Sequence, residues 1–281
     1  VKIKEKFTMY TVKDSQRKNF IEAYDENNIL VGEAIISPFR ESDLYDKQRL
    51  NIYIDIDVKD IKDKKIVMDL MFDELLKRGK NIKKENEDLD VKFYHCCFSD
   101  NKENIEYYLS KEGFKHDEGM HIIRKEIDEE EFSILEIDGI EFTDLYFEDE
   151  KEIKQLVEEQ NKVFKHGYAV EDLKEIKNNT EWFSIAAKHE DLIVGNVVII
   201  VKQDDDGTKY GWVDDLFVSN TWRKKGIGES LMNRAFNKLK KLNVRESRLE
   251  VWSSNKRAMS VYSKLGYKFL KETETSIGVF L

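Results

Sequence analysis

Along the second half of the chain, apolar positions switch between the two-residue spacing of strands and the three-to-four-residue spacing of helices. Ile140–Phe142 reads as a short strand, and Glu150 to Phe164 as a helix with Ile153, Leu156, Val157, Gln160 and Phe164 on one side. Trp182–Lys188 and Val194–Lys202 form a hairpin across the polar turn His189–Asp191. After the turn Asp204-Asp205-Asp206-Gly207 comes a strand, Gly211–Val218. A helix from Gly228 to Leu242 then carries Leu231, Ala235, Leu239 and Leu242 at helical spacing. Arg248–Trp252 is the next strand. Ser254 or Asn255 caps a helix that presents Ala258, Val261, Tyr262 and Leu265 on one face. Gly266 ends it, and Tyr267–Leu270 and Ser276–Leu281 are expected as closing strands.

The first half runs the same course. Ile21–Tyr24 and Ile29–Ser37 make a hairpin around Asp25-Glu26-Asn27-Asn28, Leu50–Ile56 is a strand, and Ile66 to Leu76 is a helix bearing Ile66, Leu70, Met71 and Leu75. Val91–Phe98 is a strand and Asn101 to Leu109 a short helix, ending in a Glu112-Gly113-Phe114 that echoes Leu265-Gly266-Tyr267. This is a diverged tandem repeat of one strand–helix–strand–helix unit. The acidic stretch Asp128–Glu131 and the Asp138-Gly139 turn put the seam near residue 135, giving domains 1–135 and 136–281 of α/β (α+β) class.

Composition narrows the function. Of 281 residues, 37% are charged and the formal net charge is −10, which argues against a general nucleic-acid binder. That charge would suit a cationic substrate, and it also serves solubility. Val1 to Tyr10 has no apolar run of the kind a signal peptide needs, and Leu192 to Val201 is too short to span a bilayer. Cys96 and Cys97 are neighbours, unsuited to a disulfide with each other, and with His95 they fit no zinc spacing. His95, His116, His121, His166 and His189 show no metal or triad pattern. The expectation is a cytoplasmic protein without a metal.

The chemistry concentrates in Trp212 to Leu231, where a buried strand passes through a basic turn into an amphipathic helix. Gly226 and Gly228 let backbone approach a ligand, and a helix start offers free N–H groups and the positive end of its dipole. With Arg223, Lys224 and Lys225 adding charge, this segment suits a phosphate or pyrophosphate. A Walker loop fits less well because Glu229-Ser230 follows Gly228, and a dinucleotide fingerprint because Leu231 holds the third glycine's place; a basic helix start with no ligand is the alternative reading of the short run.

Arg223-x-x-Gly226-x-Gly228 resembles the coenzyme A pyrophosphate loop of the GNAT superfamily of N-acetyltransferases, Gln/Arg-x-x-Gly-x-Gly/Ala. Leu216-x-Val218 matches the preceding strand, with Asn220 where many members have proline. Asn255, Ala258, Tyr262 and Leu265-Gly266-Tyr267 match the family's second motif in order and spacing. The resemblance covers residues 140–281. It implies two GNAT-like domains, each a mixed, mostly antiparallel sheet flanked by helices. It implies acetyl-CoA as co-substrate, held by Leu216, Phe217, Val218, Arg223, Lys224, Lys225, Gly226, Ile227, Gly228, Glu229, Asn255, Ala258 and Tyr262. By the same resemblance, the Val218 N–H polarises the thioester carbonyl and Tyr262 protonates the departing thiolate. From its spacing alone, Tyr262 reads more readily as an aromatic filling the core stripe with Val261 and Leu265.

An amine must lose a proton to attack, which calls for a base. Period-two alternation places Asp214 on the face of Leu216 and Val218 and Asp215 on the other, unless a β-bulge intervenes. Asp214 is the expected base and Asp215 the expected holder of a cationic amine. The pair is similar to that of diamine and polyamine acetyltransferases. In the first half, alignment puts Lys62, Lys65 and Val67 opposite Arg223, Gly226 and Gly228, so that copy is expected to be non-catalytic. Leu109 falls opposite Tyr262, or Tyr108 if one residue is inserted. The expected partner is a small-molecule amine rather than a nucleic acid or membrane, and a homodimer is compatible. A catalytically silent acyl-CoA sensor or scaffold and a protein or peptide N-acetyltransferase are the alternatives.

Overall fold

A computed structural model describes residues 10–41, 48–128, 131–164 and 167–281. The expectations placed on Val1–Tyr10, Asp128–Glu131 and His166 lie wholly or partly outside them. The chain forms two compact units, one of Val1–Met120, Trp252–Arg257 and Glu272–Leu281, the other of His121–Val251 and Ala258–Lys271. The sequence pattern, by contrast, divides the chain once, near residue 135.

The first unit contains β1 (Thr11–Asp14), β2 (Phe20–Tyr24), β3 (Leu30–Glu41), β4 (Arg49–Val58), α1 (Lys64–Lys84), β5 (Asp90–Phe98) and α2 (Lys102–Leu109), with the start of β6 (Lys115–Glu126) and most of β12 (Lys268–Phe280). Its sheet order is β1-β2-β3-β4-β5-β12, with only β4 and β5 parallel. A parallel pair needs a crossover, and α1 supplies it. Val67, Met68, Met71, Phe72 and Leu75 bury the inner stripe of α1 in the same core as Ile52, Ile54 and Phe93.

The second unit contains β7 (Glu141–Leu145), α3 (Glu150–Asn161), α4 (Val170–Asn179), β8 (Glu181–His189), β9 (Leu192–Gln203), β10 (Lys209–Val218), α5 (Ile227–Lys241), β11 (Glu246–Trp252) and α6 (Lys256–Lys264), apart from the last residue of β11 and the first turn of α6. Its sheet order is β6-β11-β10-β9-β8-β7, parallel at β10–β11 and antiparallel from β10 to β7. One core contains Leu231, Phe236 and Leu239 of α5, while Ile153, Leu156 and Leu173 of α3 and α4 belong to another. Each such side chain contributes roughly 1.5–3 kcal/mol by leaving water.

The succession β4–α1–β5–α2–β6 is repeated as β10–α5–β11–α6–β12. Several elements depart from the sequence expectation. β12 is one unbroken strand rather than two, because its polar middle, Glu272–Thr275, continues the strand into pairing with β5 through Glu274↔Phe98. α4 carries only two core apolar residues, Leu173 and Ile176, too few to show a period. α3 stops at Asn161 rather than Phe164. Among the described residues, no helix is long and apolar enough to cross a membrane.

Candidate active site

Strand β10 runs parallel to β11 only across Gly211↔Ser247 and Trp212↔Arg248. Beyond Trp212 it keeps β9 as partner, through Val218↔Gly195, and the two parallel neighbours part. The Ser219 N–H donates to the Val194 carbonyl at 2.8 Å. By antiparallel alternation, the N–H and C=O of Val218 and of Leu216 therefore point away from β9, into the gap. Nε of Arg223 donates to the Val218 carbonyl across that edge at 3.1 Å.

The register of β10 on β9 slips between Val213↔Ile199 and Asp215↔Val198, leaving Asp214 bulged and without a counterpart. The bulge reverses the faces. Val213 packs in the core under α5, whereas Phe217 packs in the core under α3 and α4, and Leu216 and Val218 lean on the α5 side. Asp214 does not share their face as strict alternation expects. It is exposed and accepts a hydrogen bond from the hydroxyl of Tyr168, which packs against the α3–α4 core.

After β10, a single helical turn (Asn220–Trp222) leads to Lys224 and Gly226, both left-handed with φ of 60° and 85°. Gly226 is the N-cap of α5, where a Cβ would stand 2.6 Å from Cδ2 of Leu135. A Cβ on Gly228 would meet only Val218 Cγ2, at an ordinary 3.7 Å, so packing within the chain does not require glycine there. Among the described residues, the backbone N–H groups of Lys225, Gly226, Ile227, Gly228 and Glu229 have no acceptor. Free amides at the positive end of a helix dipole suit an anion such as a phosphate. Lys225 Nζ lies over the Trp222 ring at 4.1 Å, while the Glu229 carboxylate in the first turn opposes an anion. The side chains of Ile227 and Phe217 are core, so only their backbone is available to a ligand.

Asp215 is the most perturbed carboxyl of this unit. Burial pushes its pKa up to about 7; a hydrogen bond from Gln160 opposes this and the charge of Asp214 adds to it. Its Oδ2 has no hydrogen-bond partner, and neither has Oδ1 of Asn196, which lies on the neighbouring strand opposite Phe217. Gln160 accepts the Tyr168 N–H at 2.7 Å, so α3 and the loop before α4 close over the acidic pair. Nothing in the sequence pattern marks Tyr168, and Gln160 shows there only as part of a helix face.

Ala258 and Tyr262 of α6 lean on the core shared by Leu216 and Val218, and Tyr262 meets Tyr267 edge-on at 5.6 Å. Burial, then the charge of Asp215, raises the Tyr262 phenol to about 12, which keeps its proton on at neutral pH. The second unit thus gathers the expected residues except Asn255, which stands just before α6 in the first unit and donates its N–H to Trp252 O at 2.9 Å.

The second unit thus combines a mixed sheet whose parallel strands part with an amide-lined helix mouth at the gap. Residues 145–267 match the model of the Acetyltransferase (GNAT) family. Over that segment, which is less than half of the chain, the sequence is similar to the acetyltransferase domains of this family. A GCN5-related N-acetyltransferase from Sphaerobacter thermophilus is 15% identical, over 95% of this chain and 82% of its own, with a TM-score of 0.49. A tandem GNAT protein from the clavulanic acid biosynthesis pathway is 8% identical over 97% and 84%, TM-score 0.48. An aminoglycoside acetyltransferase from an uncultured soil metagenomic sample is 19% identical over 45% and 87%, TM-score 0.41.

Proposed function

We propose that the second unit transfers the acetyl group of acetyl-CoA to a primary amine by direct attack in a ternary complex, and that the first unit is a non-catalytic copy. The observation that carries this reading is the row of unpaired amides from Lys225 to Glu229 beside the gap at Val218. Acetyl-CoA supplies the activated acyl group; the rest falls to the chain's own residues. The Val218 N–H donates to the thioester carbonyl oxygen as negative charge develops there. Tyr262 gives its phenolic proton to the leaving sulfur.

Asp215, rather than Asp214, takes the proton from the amine. A carboxyl with a pKa near 7 is a better match to neutral operation than a solvated one. Asp214, exposed and oriented by Tyr168, attracts the cationic acceptor. This exchanges the roles that strict alternation suggests. The unpaired acceptors Oδ2 of Asp215 and Oδ1 of Asn196 favour a small amine donor.

The test is thiol release from acetyl-CoA across diamines, amino acids, aminoglycosides and peptides. Release with a small cationic amine, lost in Tyr262→Phe while coenzyme binding persists, is expected. Saturable coenzyme binding with no release against any amine would mark a sensor. Coenzyme binding undiminished in Gly226→Glu would remove the site altogether.

A further inference from the structure

The first unit holds a cavity of ≈ 580 Å³ that no part of the acyl-transfer reading uses. Its position follows from strand pairing. Parallel pairing of β4 with β5 runs from Arg49↔Asp90 to Tyr53↔Tyr94 and ends there, although β4 continues to Val58 and β5 to Phe98. The cavity opens where they part, lined by Tyr53 and Asp55 of β4 and by His95 to Phe98 of β5.

A coenzyme does not suit this opening. The chain from Val58 reaches the helix after only Lys59–Lys62, without a glycine, and the residue before α1 is Asp63. By helix start, Asp63 rather than Lys65 stands opposite Gly226, so this helix opens on an acidic residue where the second unit has a glycine, and the Lys64 N–H is taken up by the Ile61 carbonyl at 3.1 Å.

The lining has a different chemistry. Asp55 and Glu274 each present a carboxylate to the cavity, and neither is paired with Lys or Arg among the described residues. Among the described residues, no Lys or Arg lines it. The ammonium of Lys92 on the same strand is taken up by Asp117, Glu118 and Ser276. The rings of Tyr53, Phe98 and Trp252 form apolar walls, and Trp252 is oriented by its indole N–H donating to Glu118 Oε2 at 3.0 Å. The amides of Asn101 and Asn104 add neutral polar groups. Tyr108 is 1% exposed, and its hydroxyl has no partner. That hydroxyl lies within electrostatic reach of Asp55, Tyr53 and Cys97, all lining residues.

The thiols there are not nucleophiles. Burial and then the charge of Glu274 push Cys96 up to about 12, and burial followed by Asp55 raises Cys97. Burial is the largest cause of both shifts, and the carboxylates of Glu274 and Asp55 add to it. Asp55 lies 3.4 Å from His95 Nδ1 and Glu274 accepts a hydrogen bond from the Cys96 thiol, which leaves both carboxylates without a Lys or Arg among the described residues; carboxylates so placed beside aromatic faces suit an ammonium or guanidinium ion.

We propose that this cavity binds a small organic cation, an ammonium or guanidinium group on an apolar body, at a site separate from the acyl-transfer centre. The test uses the full chain with n-butylammonium, n-butylguanidinium and choline as probes, and butyrate, 1-butanol and coenzyme A as controls. Binding is read by calorimetry and ligand-observed NMR. At least one cation should saturate a site, and the double variant Asp55→Asn, Glu274→Gln should weaken it tenfold or more with the thermal transition unchanged. Asp215→Asn should leave that affinity intact. No saturable cation binding, equal affinity for butyrate or butanol, displacement by coenzyme A, or loss confined to Asp215→Asn would each overturn the proposal.

Discussion

Arg223 and Val218 are joined by a hydrogen bond of 3.1 Å from Nε to the carbonyl oxygen, which fastens the basic loop to the free edge of β10. One side chain thereby sets the distance between the amides proposed to bind a diphosphate and the strand edge proposed to receive the thioester.

Lysine at 223 would keep the charge and lose the fixed planar donor. Arg223→Lys is expected to weaken coenzyme binding several-fold and to lower kcat as well, as judged by calorimetry and steady-state rates. A charge-only role for Arg223 would leave both near the parent values.

Gly226 and Gly228 should respond differently to alanine. At Gly226 the left-handed backbone costs a side chain about 1–2 kcal/mol, and Leu135 must also move aside. Gly226→Ala should therefore lower both stability and coenzyme affinity. At Gly228 a Cβ fits, and alanine favours a helix over glycine by about 1 kcal/mol. Gly228→Ala should match or exceed the parent melting temperature, yet bind coenzyme at least tenfold more weakly, if the amides face a diphosphate there.

Asp215 ties catalysis to stability in opposite directions. Its folded pKa of about 7 lies above the ordinary 3.8, so the folded state holds a proton that the unfolded state releases. Stability therefore falls as pH rises between those values, and above the upper one the penalty is complete, on the order of 4 kcal/mol. Activity should rise over the same upper limb as the base becomes free. Asp215→Asn should flatten both profiles and unfold at higher denaturant concentration than the parent at pH 8. It should also turn over on the order of 10²-fold more slowly or worse.

Glu118 behaves oppositely. Burial works to raise its pKa, but the hydrogen bond from Arg49 and the charge of Lys92 prevail and hold it at about 2. Its contribution is present above the ordinary carboxylate value of 4.5 and is lost as pH falls toward 2. Glu118→Gln is expected to cost about 3 kcal/mol at neutral pH and little near pH 2, by denaturant titration.

Strands β8 to β11 and helix α5 were legible because each has a clean apolar period and a turn at its ends. The candidate phosphate-binding segment stands out in the sequence because glycine spacing and basic charge coincide in one short run. The facing of Asp214 and Asp215 was not, because a one-residue bulge leaves no mark in the pattern yet reverses every side chain after it. Tyr168 was hidden too: it stands in a connection before α4, and only the folded chain brings it to Asp214. Its partner Gln160 looked like an ordinary member of a helix face. The order of strands within each unit was illegible for a different reason, since pairing between residues nearly two hundred positions apart carries no local signal.

The pairing of Glu274 to Phe280 with Phe98 to Lys92 has a consequence for how the molecule is made. During translation, the edge of β5 waits for its partner until the segment around Ser276 leaves the ribosome. Until then the earlier half exposes an unfinished strand border to solvent and to chaperones, and its maturation is timed by synthesis of the later half.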